Sequence, residues 1–587
     1  MREAYTFGPE IRDDAVLFRL WAPLAERVTL RIDQRGDWTM QPREGGWHIL
    51  KMQQARPGDL YKFILPDGLE VPDPASRFQP ADVHGPSEVV QPQFAWSRVD
   101  WKGRPWEEMV VYELHIGAFT QAGTFSSAME RLDYLQSLGV TAIQLMPLSD
   151  FPGRYGWGYD GVLPYAPDSS YGRPEDLKRL VDAAHERGIC VFLDVVYNHF
   201  GPDGNYLPSY APIFSARHES PWGKGLNFDG EGGRQVRNFV IENAIYWIGE
   251  FRMDGLRLDA VHAMKDNSDP HILIELAERV RRSFPDRHIH LILENEDNDS
   301  ALLARKPDGE AWHFTAQWND DIHHALHVAA TGETFGYYGD YADWLPRARR
   351  SLAEGFAFQG EHMAYRQRSR GKPSTSLHPT AFLSFIQNHD QIGNRAKGDR
   401  MVASHPAEAM KAIAAIYLLA PQIPMLFMGE EWGCTQPFPF FCDFDEELND
   451  KVRLGRKEEL RRLPGFDAKD AVDPASDATF HSAKLQWDKL QADQAFGQHY
   501  RDLIRLRHQK IMPLLGQRPV HATVHDTDSP LLRVSWQMGQ STLRLTANLS
   551  DRPMTMSVPT GDAALFICGN IAGDELGPWS VIWDLVE

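Results

Sequence analysis

Arg257 and Asp259 stand two residues apart in "GLRLDAVH" (255–262), with Leu256 and Leu258 alternating with them. Successive side chains of a strand point to opposite faces. The leucines therefore share one face, and two opposite full charges share the other. Other short apolar runs end in the same manner: "YELH" (112–115), "DVVYNH" (194–199), "LENED" (293–297), "QWNDD" (317–321), "QNHD" (387–390) and "GEE" (429–431). Buried charges normally occur paired, so a self-satisfying ion pair accounts for one such end. A whole set of them points to chemistry. Two carboxylates flanking a bond are what glycoside hydrolysis requires, one attacking the anomeric carbon and the other protonating the departing oxygen. Neighbouring anions repel, which raises one pKa enough to keep a proton at neutral pH, while an arginine holds the other group ionised. Asp259 beside Arg257 fits the nucleophile, and a glutamate of the next strand fits the acid. Glu294 and Glu296 lie two apart and face the same way, so spacing alone does not choose between them.

To gather these ends, the chain needs parallel strands. From residue 109 short apolar runs alternate with amphipathic segments. The strand candidates are 109–116, 141–148, 190–199, 255–262, 290–296, 312–320, 381–390 and 424–431. Helix candidates lie between most of them; in 174–188, Leu177, Leu180, Val181 and Ala184 form one stripe between Pro174 and Gly188. The pattern predicts an α/β fold, a closed (β/α)8 TIM barrel, with no evident crossover helix between strands five and six. The barrel is expected over 105–511, after an N-terminal β-sandwich at 1–95 and before a C-terminal β-domain at 512–587. "PGDLYKFILPDG" reads as a hairpin in the first, and "LLRVSWQ", "STLRLTANLS", "MTMSVP" and "WSVIWDLV" as strands in the last. In such a barrel Leu256 and Leu258 meet helices, while Arg257 and Asp259 point inward near the C-terminal mouth.

A net charge of −20 over 587 residues argues against nucleic acid or an anionic membrane as partner, since both select clustered cations. The four cysteines are scattered without metal-ligand pairing, and Cys190 falls in an apolar run, as a reduced thiol would. No run approaches 18 uninterrupted apolar residues, and a cytoplasmic protein is expected.

"DVVYNH", "GLRLDAVH", "LILENED" and "FIQNHD" together resemble, in order, the four core motifs of the α-amylase family of retaining α-glucan-active enzymes. The resemblance implies a nucleophile at Asp259, an acid/base at Glu294 and a transition-state-stabilising aspartate at Asp390. It also implies substrate contacts from His199, Arg257 and His389, joined by His262 from the fourth-strand segment. Tyr159, in "GWGYDG", resembles the family's aromatic platform beneath the attacked sugar. Strand alternation in "FIQNHD" cannot point both His389 and Asp390 inward, so one of them is expected in the loop.

Further stretches resemble one subfamily, the maltooligosyltrehalose trehalohydrolases: 73–87, 112–120, 153–167, 317–326, 427–433 and 437–444. That resemblance implies a maltooligosyltrehalose substrate and, as a partner in the same pathway, a maltooligosyltrehalose synthase. Trehalose joins two glucoses head to head, so recognising it needs directional hydrogen-bonding groups just past the cleavage point. Asn319, Asp320, Asp321 and His323, read as the loop after strand six, are the first candidates; Gln391 and Asn394 are the second. No cofactor or metal is expected. Asn198 sits where some amylases place a calcium ligand, yet no aspartate-rich loop with calcium spacing accompanies it, and His323–His324 is not a zinc pattern. The competing readings are a 1,4-α-glucan branching enzyme, which passes the same covalent intermediate to a sugar hydroxyl, and a glucan-binding protein without catalysis.

Overall fold

Eight parallel strands close into a barrel in a computed structural model that describes residues 5–12, 14–461, 471–491, 493–555 and 564–586. They are β1 (Val111–Leu114), β2 (Ala142–Leu145), β3 (Cys190–Val195), β4 (Gly255–Leu258), β5 (His290–Leu293), β6 (Ala316–Trp318), β7 (Phe382–Ser384) and β8 (Ile423–Phe427). Each pairs with its sequence neighbours, and β1 with β8 completes the ring. The β3–β4 register sets Asp194 beside Arg257, so the two side chains point to the same side. Leu256 and Leu258 are fully buried, as the alternation predicts.

The outer ring includes α1 (Pro174–Glu186), α2 (Gly233–Glu250), α3 (Ile272–Ser283), α4 (Asp320–Thr331), α5 (Trp344–Glu354), α6 (Ala407–Leu419) and α7 (Gln494–Leu506). Between β5 and β6 there is only a short turn, Ser300–Leu303, in agreement with the missing crossover signal. Between β1 and β2 the helical stretch is broken into Phe125–Met129 and Leu132–Leu138; at the break Arg131 lies 4.6 Å from the Trp487 ring centroid.

Two of these helices, α2 and α6, are buried around most of their circumference, as helices covered on both sides are. The N-terminal sheets roof α2: Phe7 packs edge-on against Phe239, and its backbone N–H donates to Glu242. That region pairs Ala15–Trp21 with Trp47–Met52 in one sheet and Thr29–Ile32 with Leu60–Ile64 in the other. The expected hairpin is present, with Phe63 opposite Val71. The C-terminal five-stranded sheet roofs α6, where Trp583 Nε1 donates to the Ala415 carbonyl at 3.0 Å. Three of the four strands expected there form, and Met554–Thr555 of "MTMSVP" is a strand whose continuation, 556–559, lies outside the described residues. Among the described residues, no helix is long and apolar enough to cross a membrane.

Candidate active site

The strand ends converge on a cavity of about 710 Å³ at the C-terminal mouth of the barrel. Beneath this cavity, outside its lining, lies Arg257, fully buried and 4.2 Å from the Trp318 ring centroid, which corrects the expectation that it touches substrate. One terminal nitrogen donates to both oxygens of Asp194, at 2.9 and 2.8 Å, and to Asp259 Oδ1 at 2.7 Å. The other stands 3.1 Å from Glu294 Oε2, an ion pair rather than an aligned hydrogen bond. One guanidinium thus confines the carboxyls of Asp259 and Glu294 to neighbouring positions.

The backbone contributes as well. Ala260 has φ +40°, in the left-handed region, and its N–H donates to Glu294 Oε2 at 2.7 Å. A non-glycine residue holds that conformation at a cost of about 1–3 kcal/mol, so surrounding contacts must enforce it. Asp259 Oδ2 accepts from Asn198 Nδ2 at 2.7 Å, which commits that amide to the carboxylate.

These surroundings drive the two carboxyls apart. Burial pushes Asp259 up, but Arg257, His199 and the Asn198 hydrogen bond outweigh it and hold the group below the usual carboxylate range. Burial dominates at Glu294, and the negative charges of Asp259 and Asp390 add to it against Arg257, so its pKa lies well above the ordinary value. Glu296 behaves oppositely: burial would raise it, but a close salt bridge to Arg366, with His262 nearby, holds it low. Geometry therefore separates the two glutamates that spacing left equivalent.

Tyr159 stacks on His389 with centroids 5.2 Å apart, and its hydroxyl donates to Asp194 Oδ2 at 2.7 Å. Burial opposes the charge on His389, yet Asp390 and Glu113 raise its pKa to about 9. As imidazolium it donates from Nδ1 to Glu113 at 2.8 Å and presents Nε2 to the Tyr159 oxygen at 2.9 Å. His389 and Asp390 both belong to a short helix, His389–Gly393, begun by Asn388, whose side chain accepts from the Asp390 N–H. Helical geometry, rather than strand alternation, lets both line the cavity, which corrects the expectation that one sits in the loop.

Tyr159, His199, Asp259, His262, Glu294, Asp320, His389, Asp390, Gln391 and Asn394 all line this cavity. Asn319, Asp321 and His323 do not, and the expectation that they reach substrate is corrected. Residues 320–331 form α4 rather than a loop, and these three side chains turn into the protein. Asn319 donates to the Gly355 carbonyl at 2.8 Å. Asp321 accepts from Asn298, Arg370 and the Ala357 N–H. His323 donates from Nδ1 to the Ile386 carbonyl at 2.7 Å.

Sequence patterns do not mark several further lining residues: Trp157, Trp222, His324, Tyr337, Arg366 and Arg456. Trp222 sits in the turn between Phe214–Ser220 and Gly223–Leu226, 52% exposed, and stacks on His199 at 5.1 Å. An exposed tryptophan in a glycine-containing turn is a trace that sequence retains, but its partner is known only from the fold.

Comparison with known proteins agrees with this geometry. The family model for the α-amylase catalytic domain matches residues 83–211 and 226–513. The carbohydrate-binding module 48 (isoamylase N-terminal domain) matches 6–70, and a domain of unknown function, DUF3459, matches 521–583. A malto-oligosyltrehalose trehalohydrolase from Saccharolobus solfataricus is 44% identical over 86% of this chain and 87% of its own. A 1,4-alpha-glucan branching enzyme from Corynebacterium jeikeium is 28% identical over 73% of this chain and 62% of its own. The crystal structure of an α-amylase-type protein from Salmonella typhimurium superposes with a TM-score of 0.95 at 45% identity, covering 100% of both chains. With the catalytic-domain model spanning the barrel and a relative of that identity matched over most of its length, the chain belongs to the α-amylase family, within its malto-oligosyltrehalose trehalohydrolase branch.

Proposed function

We propose that the chain is a retaining glycosidase that cleaves the α-1,4 bond next to the terminal trehalose of maltooligosyltrehalose, releasing trehalose and a maltooligosaccharide. The observation that carries the chemistry is the Arg257 bridge between Asp259 and Glu294, two carboxyls whose surroundings push their pKa values in opposite directions. Double displacement needs its carboxyls about 5 Å apart, and two groups tied to one guanidinium suit that spacing. Asp259 attacks the anomeric carbon as the Glu294 proton passes to the glycosidic oxygen, and trehalose departs. Glu294, now ionised, takes a proton from water; the water oxygen attacks the same carbon, the bond to Asp259 breaks, and the α configuration is retained. Asp390 steadies the oxocarbenium-like transition state through ring hydroxyls. Tyr159, with its face stacked on His389, together with His199 and His389 holds the attacked ring, and Arg257 positions Asp259 and Glu294 from below.

The substrate is supported by the similarity to trehalohydrolases, which is far stronger than that to a branching enzyme. The required supply reaction turns the reducing end of a maltooligosaccharide into a trehalose unit, and a maltooligosyltrehalose synthase is the partner this implies. The module-48 match supports a glycan-binding role for the N-terminal sandwich. Four free cysteines suit a cytoplasmic site of action.

Asp259→Asn and Glu294→Gln are each expected to lower kcat by about 10³-fold or more on maltotriosyltrehalose. Near-normal turnover in either variant would overturn the catalytic assignment. Equal cleavage of maltotriosyltrehalose and maltopentaose would overturn the trehalose assignment, and new α-1,6 branches on amylose would favour the transferase.

A further inference from the structure

His324 lies four residues after Asp320 on α4, so the two share the helix face that borders the cavity. Its ring is caged by aromatic neighbours, with centroids at 4.9 Å to Tyr337, 4.7 Å to Tyr341 and 5.5 Å to Tyr338. It is 7% exposed, and its Nδ1 is buried with no hydrogen-bond partner among the described residues. Neighbouring His323 and His327 differ, for each has a protein group on at least one ring nitrogen.

A phenylalanine would fill such a cage without leaving a polar atom unpaired, and buried polar groups are almost always satisfied. Nδ1 is sealed from the cavity, so a partner entering there meets Nε2, to which no protein group bonds among the described residues; an imidazole in the cavity wall with neither nitrogen engaged by the protein has a place for a ligand hydroxyl. We propose that His324 hydrogen-bonds a hydroxyl of the sugar leaving the reaction centre and thereby helps select the trehalose terminus. This inference rests on the reading of the chain as a trehalose-releasing glycosidase.

Position supports the choice of the leaving sugar. The general acid marks the departing side of the scissile bond. Glu294 follows β5, and α4 begins just after the adjacent strand β6, so its Asp320–His324 face lies on the acid's side of the cavity. The groups around Tyr159 and His389 lie with Asp194 and Arg257 instead, beneath the attacked ring. Burial, reinforced by His323 and Arg370, drives the His324 pKa well below its ordinary value. The ring is therefore neutral at working pH, and a hydroxyl, being both donor and acceptor, complements Nε2 in either tautomer.

The test compares two substrates. Maltotriosyltrehalose presents a disaccharide to the proposed contact; α-maltotriosyl fluoride has a single atom as leaving group and presents none. In His324→Phe, which keeps a ring in the cage, the ratio of kcat/KM for maltotriosyltrehalose to that for the fluoride is expected to fall by about tenfold or more, because a site built around a hydrogen bond discriminates through it. His324→Gln, which keeps a polar end, is expected to recover part of that ratio. Equal losses on both substrates in both variants, or an unchanged ratio, would overturn the inference and leave a packing role. A wild-type enzyme that releases no trehalose from maltotriosyltrehalose would instead overturn the underlying reading, and this inference with it.

Discussion

At the residue scale, chemistry is divided between Asp259 and Glu294 by what surrounds them, and Arg257 is the group common to both. Activity in the proposed mechanism needs Asp259 ionised and Glu294 protonated. The rate should rise with pH through the lowered Asp259 pKa and fall through the raised Glu294 pKa. Arg257→Lys offers one ammonium where a planar fork met three carboxyls. Because Arg257 lowers both pKa values, both limbs of the kcat/KM profile are expected to move to higher pH, the acid limb by about one unit. An acid limb that stays in place would show that Arg257 does not set it. The charge on this strand was legible because alternation fixes faces two residues apart. Alternation could not rank Glu294 over Glu296, since β5 ends at Leu293 and both lie beyond its last residue. Asn319, Asp321 and His323 misled for a related reason: a helix begins at Asp320, and each step rotates a side chain by about 100°. That rotation sends residues 320 and 324 to the cavity and residues 321 and 323 to the core.

At the element scale, α4 is pinned by one carboxylate. Asp321 is buried and receives Arg370, the Tyr341 hydroxyl, Asn298 and the Ala357 N–H, which join the helix to the segments beside it. Removing one partner from such a group leaves a buried cation unmatched. Asp321→Ala is therefore expected to cost about 3–5 kcal/mol of unfolding free energy in urea titration, with a raised KM because the cavity wall built on α4 shifts. A change below about 1 kcal/mol would show that the helix is held by packing alone. The turn after β4 invites a second comparison. Ala260 is buried with positive φ, so Ala260→Val should be far more damaging than Ala260→Gly, both to stability and to kcat, because a β-branched residue resists that conformation and Glu294 depends on its N–H. Barrel strands and most helices were readable from periodicity. The segments that finish the mouth, such as the Trp222 turn and the helix Glu446–Leu460 that supplies Arg456, were not, because their positions depend on long-range packing rather than local pattern.

At the scale of the whole molecule, the flanking sheets and the barrel share their cores. Trp536 and Trp583 are fully buried and donate to carbonyls of α5 and α6, and Arg349 of α5 donates to three carbonyls of the C-terminal loop between 526 and 531 besides Thr527. Loss of activity and the shift in tryptophan fluorescence on heating are expected to coincide in a single transition. A chain ending at residue 511 should be recovered only as aggregate, since it would bare the apolar face of α6. Separate transitions, or a well-behaved truncated enzyme, would show that the sheets are accessories. Strand and helix patterning announced the three regions, but not that two barrel helices would be buried on both sides to serve them. The roofed helices α2 and α6 also limit how the architecture can be recombined. A graft that trades either outer sheet for a foreign one must bring along a matching helix, or the seam will open to solvent.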